Sequence, residues 1–335
     1  MRISCVRAII LTVGLAVNLS AAQEFPSSDA LKLGKQYVSD FYKGNTAELW
    51  KNMAPRMQAE LTSAGGIGKL YEEVKAKYGQ EASIENERVM PGPHIQIYMR
   101  RARFTTAPTS LVTTCYFDDH GKVSGFYVRE EQKPVASKYL DYNDKRKYVL
   151  PVRGAWLVYT GGRSAYDNYH ATKSDERFAY NFTGIRNGRI YAGTGENLAD
   201  YFSFGQPVLA PADGTVVAAV DKFDDNTPQK AYQNGDPKEG NNIVIDHGSG
   251  EFSMLPHLKR GSIKVKAGEK VKAGQEIALC GNSGTSPFPH VQYHLQSTAE
   301  WSKGEGLPVQ FHDYIADGKE VTSGEPVRGQ IVQTK

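Results

Sequence analysis

Residues 289–296 read PHVQYHLQ, and this stretch decides how the second half of the chain folds. Apolar and polar residues alternate in it, which predicts a β-strand with one side in a core. His290, Gln292 and His294 then share one face of the strand, with about 6.6 Å between successive positions at ~3.3 Å per residue. A row of polar, imidazole-bearing side chains is unusual for a core and is typical of a metal or acid–base site on a sheet.

The chain around this strand is predicted to be an all-β domain over residues 148–320. It is rich in strand-forming residues, has Gly or Pro at most turns and shows little helical periodicity. The same region holds His170, His247 and His257 besides His290 and His294. His247 precedes a glycine where a strand enters a turn, so we interpret it as structural.

The first half has a different pattern, which predicts an α+β domain over residues 23–130. Apolar residues recur at three- and four-residue steps in the first part of this region and at two-residue steps in the second. A polar segment with few apolar residues, 131–147, is predicted to be a linker, and 321–335 a C-terminal tail. The predicted helices are 29–42, 47–63 and 68–78, and the predicted strands are 83–90, 94–104, 109–117 and 122–130.

Residues 1–22 have the three parts of a secretory signal peptide: a basic start, an apolar run over 8–17 and small residues before Gln23. We expect cleavage after Ala22. No later stretch is long and apolar enough to span a bilayer, so the mature protein is predicted to be periplasmic or secreted. Export permits disulfides, but burial of Cys115 and Cys280 as free thiols is favoured over a bridge between them.

Composition excludes two classes of protein. With 335 residues, 40% hydrophobic and 23% charged, the chain is not a disordered polymer. The formal net charge of +3, without a basic stripe, does not predict nucleic-acid binding.

Several blocks of the second half, in this order, resemble the lysostaphin-type (LytM-type) zinc metallopeptidases, whose common target is the peptide part of peptidoglycan. The resemblance implies a compact antiparallel sheet with a groove across it. The blocks are NYH at 168–170, RFAYNF at 177–182, PVLAPADGTV at 207–216, GNNIVIDHG at 240–248, PHL at 256–258 and CGNSG at 280–284 leading into PHVQYH at 289–294.

The resemblance also assigns site residues. His170 matches the first zinc ligand of the family, and His257 and His290 match two active-site imidazoles that do not bind the metal. Asn181 and Gln292 stand where the family has an aspartate and a histidine as the other two zinc ligands. Because zinc prefers imidazole, thiolate and carboxylate ligands, zinc is expected to bind weakly or not at all.

A rearranged metal site is the alternative. His294 is a candidate replacement ligand, although a displacement of ~6.6 Å along the strand makes it a better candidate for a groove residue near the site. A carboxylate near His170 could come from Asp167, Asp175 or Glu176, and Asn168 is a possible auxiliary residue.

The first half is similar in pattern to the nuclear-transport-factor-two-like cone fold, in which three helices pack on a bent antiparallel sheet. The whole chain is therefore predicted to be an exported, non-catalytic peptidase-like protein that binds peptidoglycan peptides or an envelope protein. The alternative is an active zinc endopeptidase that cleaves cell-wall cross-links or peptides through a rearranged site.

Overall fold

The structure is a computed structural model, and it describes residues 25–230 and 236–335. The predicted signal peptide, with Cys5 in it, lies outside the described residues. Among those that are described, no helix combines the length and the apolar character needed to cross a membrane.

The N-terminal unit, residues 25–130, packs helices on one sheet. Its helices are α1 (Ser27–Tyr42), α2 (Ala47–Lys51), α3 (Pro55–Ser63) and α4 (Gly66–Tyr78). Its strands are β1 (Glu81–Gly92), β2 (Ile95–Phe104), β3 (Leu111–Asp118) and β4 (Val123–Glu130), which pair antiparallel in sequence order.

The predicted strands are confirmed to within a few residues, but the prediction of three helices is wrong. The described part of this unit has four, because the predicted helix 47–63 is interrupted between Asn52 and Ala54. Ala54 has an extended conformation, with φ −60° and ψ 145°. The residue before a proline avoids the helical region, so Pro55 ends one helix and begins the next.

Helix α1 lies very close to the sheet. A Cβ atom on Gly34 would lie 2.2 Å from Cγ of Tyr98, so only glycine permits this approach. The core beneath it is apolar and aromatic, and it includes Phe41, Leu49, Phe117 and Phe126, all nearly inaccessible to solvent.

The C-terminal unit, residues 131–335, is built on a large antiparallel sheet. Its first strands are β5 (Ala155–Thr160), β6 (Tyr180–Gly184), β7 (Pro207–Leu209), β8 (Gly214–Val220), β9 (Asn242–Asp246), β10 (Phe252–Leu255) and β11 (Lys270–Val271). The others are β12 (Glu276–Leu279), β13 (Val291–Gln296), β14 (Gly306–Leu307), β15 (Phe311–Ala316), β16 (Lys319–Gly324) and β17 (Ile331–Thr334). Within the described ranges the order is β11-β8-β9-β10-β13-β6-β5-β17-β15-β16, with β14 beside β13, and β12 pairs with β7 separately.

The end of the chain is part of this sheet rather than a tail outside it. Strand β17 pairs with β15 on one side and with β5 on the other. Val332 is completely buried in the core of the unit, which explains why these last residues are held. Cys115 and Cys280 are both free and buried, as favoured from the sequence.

Candidate functional site

Asn168 fixes the backbone that carries His170. Its Oδ1 accepts a hydrogen bond from the His170 amide at 3.0 Å, which caps a 3₁₀ turn over Tyr169–Thr172. Its Nδ2 donates to the carbonyls of Gly162 and Ala179 at 3.0 and 3.1 Å. The side chain is fully buried, so the auxiliary residue predicted from the sequence is a positioning residue.

Both ring nitrogens of His170 face acceptors. Nδ1 lies 2.5 Å from a carboxylate oxygen of Glu176, and Nε2 lies 3.2 Å from Oδ1 of Asn181. The Asn181 amide is oriented by Tyr169, because its Nδ2 donates to the Tyr169 hydroxyl at 2.7 Å. Both ring nitrogens of His170 are therefore engaged by side chains of the protein.

Glu176 is an anion in this setting. Burial raises its pKa, but the hydrogen bond and charge of His170, the nearby His294 and the hydrogen bond from Lys173 lower it by more. The resulting pKa is well below the usual range of a glutamate. Of the three carboxylates considered from the sequence, Glu176 contacts His170, whereas Asp167 pairs with Arg88 at 2.7 Å.

The two substituted positions are brought together by the sheet. Gln292 on β13 is directly opposite Asn181 on β6. Cross-strand partners have Cβ atoms about 4.5–5.5 Å apart, so the two carboxamides are neighbours. Both are nearly completely buried.

His257 and His290 lie side by side, with ring centroids 5.4 Å apart. His257 Nδ1 donates to the Ser283 carbonyl and His290 Nδ1 to the Phe288 carbonyl, each at 2.8 Å. Burial lowers the pKa of His257 to about 4 and that of His290 to about 3, so both are neutral near pH 7. His257 also has a positive φ of 62°, a conformation that costs a non-glycine residue about 1–3 kcal/mol and that clusters at functional sites.

Gln292 is hydrogen-bonded to the first of these imidazoles. Its Oε1 is placed 3.2 Å from Nε2 of His257. Because the Nδ1 proton of a neutral His257 is given to a carbonyl, Nε2 can only accept, and a flip of the carboxamide presents the NH₂ group that it needs. The two amides therefore complete hydrogen bonds with the two imidazoles that face them.

His294 lies near Glu176, whose pKa it helps to lower, but its hydrogen bond is made outside this cluster. His294 is only 1% exposed, and its Nε2 is 3.3 Å from Oε1 of Gln296. Its ring packs edge-on against Trp301, with the two ring centroids 5.8 Å apart. Its Nδ1 has no partner among the described residues. His247 is hydrogen-bonded through both nitrogens, to the Asp213 carbonyl and to Ser253, which agrees with a structural role.

The residues that occupy the family's ligand positions do not fit zinc. One is an imidazole with both nitrogens engaged, and the other two are neutral carboxamides, which bring no charge and are poor zinc ligands. Within 25–230 and 236–335, no three His, Cys, Asp or Glu side chains are grouped so that they could hold a metal ion.

Comparison with known proteins assigns the family. The model of Peptidase family M23 matches residues 197–304. Lipoprotein NlpD of Yersinia enterocolitica is 37% identical over 84 residues, which cover 25% of this chain and 71% of NlpD. The chain belongs to peptidase family M23.

Another curated relative is matched over a small part of its own length. The peptidoglycan DD-endopeptidase ShyA of Vibrio cholerae is 36% identical over 91 residues, which are 27% of this chain but only 17% of ShyA. The catalytic domain of lysostaphin from Staphylococcus simulans aligns in structure with 19% identity, a TM-score of 0.26, and coverage of 52% of this chain and 95% of that domain. The family model and the match to NlpD confirm the resemblance to this peptidase family that is predicted from the sequence.

Sequence reasoning missed two features of this M23 site. It considered Glu176 only as a replacement ligand, whereas the carboxylate is hydrogen-bonded to Nδ1 of His170. It did not single out Tyr169, whose hydroxyl orients Asn181 and whose ring lies 4.2 Å from that of His170. The tyrosine next to a ligand position was a signal for the second feature. The first feature had only a separation of six residues, which is not a spacing at which side chains meet on a helix.

Proposed function

We propose that this M23 protein is non-catalytic and uses the groove of the former peptidase site to bind the peptide part of peptidoglycan, outside the cytoplasm. The observation that carries the proposal is the hydrogen bonding of the two carboxamides with His170 and His257. A metal-binding set that had lost single ligands would leave unpaired buried groups, each costing about 1–3 kcal/mol, whereas here the amides satisfy their neighbours.

Two further considerations support the proposal. His257 and His290 keep the two imidazoles that the family has beside its groove, and they lie side by side here. The name of one relative, the peptidoglycan DD-endopeptidase ShyA, gives peptidoglycan as the polymer to test first. Regulation of an envelope enzyme would use the same groove without hydrolysis.

The second candidate function is hydrolysis by a rebuilt zinc site, and Glu176 is the observation that favours it. Its carboxylate is in contact with His170 and remains ionised. To bind zinc together, His170 and Glu176 would have to give up their mutual hydrogen bond and recruit a third ligand, which the described residues do not place beside them.

Three measurements on the mature chain test the proposal: zinc content by elemental mass spectrometry, co-sedimentation with purified peptidoglycan sacculi, and release of soluble fragments from the sacculi. We expect co-sedimentation without zinc and without release. The double variant Asn181→Asp, Gln292→His is expected to hold about one zinc per chain. The variant Asn45→Asp, Gln132→His makes the same chemical changes at exposed positions and is expected to hold none.

Each candidate predicts a different outcome. One zinc per wild-type chain together with fragment release would establish the peptidase and overturn the proposal. Failure of the wild-type chain to sediment with sacculi would overturn the peptidoglycan-binding role whatever the zinc content.

A further inference from the structure

Arg328 lies at the edge of the site, behind the loop that carries His170. It belongs to the segment between β16 and β17, beyond the part of the chain that matches the family model. Its amide donates to the Gly161 carbonyl at 3.0 Å, and its Nη1 donates to the Tyr166 carbonyl at 3.3 Å. Both acceptors precede Asn168 and His170 in the same loop, so the guanidinium is held in a fixed place relative to the site.

The guanidinium is incompletely partnered. Its Nε is buried and has no hydrogen-bond acceptor within the described part of the chain. Burial lowers the pKa of Arg328 from its usual value, and the charges of Tyr159, Tyr166 and Asp167, which raise it, do not offset this effect. Leaving a buried charged donor unpaired costs about 1–3 kcal/mol or more, so an acceptor supplied by a ligand would be favourable.

The nearest arginine does not share this surplus. Arg88, from the N-terminal unit, donates to the Arg328 carbonyl at 2.8 Å, but its charge is neutralised by Asp167 at 2.7 Å. Two guanidinium groups and one carboxylate leave one positive charge at this place.

Aromatic rings connect Arg328 to the imidazoles. Its Cζ lies 5.9 Å from the ring centroid of Tyr159, Tyr159 lies 5.2 Å from Phe288, and Phe288 lies 5.7 Å from His290. A continuous wall therefore runs from the cation to the site. Planar rings beside an arginine are the composition typical of binding hot spots.

Tyrosine hydroxyls add donors on the same side. Tyr159 and Tyr116 both pack against the apolar cluster that contains Phe288, Tyr159 lies beside Arg328, and no hydrogen bond joins either hydroxyl to another described residue. Tyr116 is on β3, so the N-terminal unit contributes to the wall. Donors are in excess here, and the ligand that fits is an acceptor with negative charge.

We propose that Arg328, Tyr159 and Tyr116 form a subsite for the terminal carboxylate of a peptide that lies in the groove. A planar guanidinium matches the two oxygens of a carboxylate, and such charge-assisted pairs are stronger than neutral hydrogen bonds. The inference deepens the proposed function, on which it rests for the identity of the peptide as a cell-wall stem. It assigns the end of that peptide, with its free carboxylate, to the side of the groove that meets the N-terminal unit.

The test compares two synthetic tripeptides that end in D-alanine, one with a free carboxylate and one with a terminal carboxamide, by titration calorimetry on the mature chain. We expect the wild-type chain to bind the carboxylate about tenfold more tightly than the carboxamide, from ~1.4 kcal/mol of charged hydrogen bonding. Arg328→Gln is expected to bind both alike. Arg153→Gln removes the same charge at an exposed position and is expected to keep the tenfold preference.

The preference itself decides the proposal. Retention of the tenfold preference by Arg328→Gln, or its absence in the wild-type chain, overturns the subsite. Thermal unfolding checks that Arg328→Gln is folded. If it is not, the double variant Tyr116→Phe, Tyr159→Phe replaces it; this variant keeps the charge and should lose about half of the preference on a logarithmic scale. Full retention of the preference by the double variant also overturns the subsite.

Failure of the subsite and failure of the proposed function can be told apart. A chain that sediments with sacculi but does not distinguish the two peptides lacks only the subsite. A chain that prefers the carboxylate but does not sediment has the subsite and a peptide ligand from another source.

Discussion

The buried amide of Asn168 makes three hydrogen bonds to the backbone, at 3.0–3.1 Å, and it joins the loop that begins at Gly162 to the strand that follows Ala179. Asn168→Ala would leave one buried amide and two buried carbonyls without partners. We expect the free energy of unfolding, measured by urea titration, to fall by about 2–4 kcal/mol. Asn45→Ala, at an exposed position, should change it by less than about 0.5 kcal/mol. Equal effects of the two substitutions would contradict the role of Asn168.

Arg100 is a buried cation whose partners surround it. The side chain is 2% exposed, and its guanidinium lies 3.2 Å from Glu81 and 2.9 Å from Glu87. Removing one member of a buried ion pair leaves an uncompensated charge. Arg100→Met should therefore destabilise the protein by about 3–5 kcal/mol in the same measurement.

The matched control is on the same strand. Arg103 lies 2.7 Å from Glu85, but its side chain is 60% exposed. Exposed ion pairs contribute about 0–1 kcal/mol, so Arg103→Met should have a small effect. A loss below ~1 kcal/mol for Arg100→Met would show that burial does not set the strength of these pairs.

The site residues that belong to a sequence motif could be predicted from the sequence. Residues that come into contact only through the fold could not. Neighbours in a sheet can be inferred once two blocks are assigned, as with Asn181 and Gln292. Arg88 and Arg328 are 240 residues apart and belong to no periodic pattern, so their contact is visible only in three dimensions. Glu176 lies between these cases: the sequence named it as a candidate carboxylate near His170, and the structure adds its hydrogen bond to that imidazole.

At the scale of elements, strand positions were predictable and element ends were less so. The alternation of apolar residues that predicts a strand is matched by burial in β3, where buried and half-buried residues alternate over Leu111–Asp118. The helix break before Pro55 was marked by the proline, but the apolar spacing continued through it and favoured one helix. Strand β17 was missed because its place inside the sheet depends on pairing with β5, more than 170 residues earlier along the chain.

The turn between β1 and β2 has an ion pair that depends on pH. His94 Nδ1 lies 2.9 Å from a carboxylate oxygen of Asp119. This hydrogen bond raises the pKa of His94 above its usual value of 6.5. Burial opposes the increase, whereas the charges of Asp119 and Glu196 add to it. A raised pKa in the folded state means that the stabilisation is present below pH 6.5 and is lost as pH rises through the folded pKa.

We therefore expect the difference in Tm between the wild-type chain and His94→Gln to be largest near pH 5.5–6 and to vanish well above neutrality. Because both side chains are more than a third exposed, the contribution should not exceed about 1 kcal/mol. Asp119→Asn should show the same pH profile. A difference that does not change between pH 5 and pH 9 would rule out the ion pair as its source.

At the scale of the whole molecule, the described residues form two large hydrophobic cores and a smaller third one. The third core combines Met90, Ile97 and Met99 of the N-terminal unit with residues of the C-terminal unit such as Leu157, Tyr166 and Phe288. Phe288 also touches His290, so the packing between the units reaches the candidate site. The boundary at residue 130 predicted from the sequence remains a proposal, and this shared core makes it testable by the way the units unfold.

The shared core should make the two units unfold together. Besides the apolar cluster, Arg88 pairs with Asp167 at 2.7 Å, with side chains 16% and 21% exposed, and the Tyr166 hydroxyl donates to Asn86 at 3.0 Å. Scanning calorimetry of the wild-type chain is expected to give one cooperative transition.

The double variant Arg88→Ala, Met90→Ala removes the ion pair and opens a cavity, which costs about 2–5 kcal/mol for the methionine alone, and should separate the transition into two. The variant Ile84→Ala, Arg103→Ala truncates two exposed side chains of the same sheet and should keep one. Two transitions already in the wild-type chain would show that the units are energetically independent, and the N-terminal unit could not then hold Tyr116 in place beside Arg328.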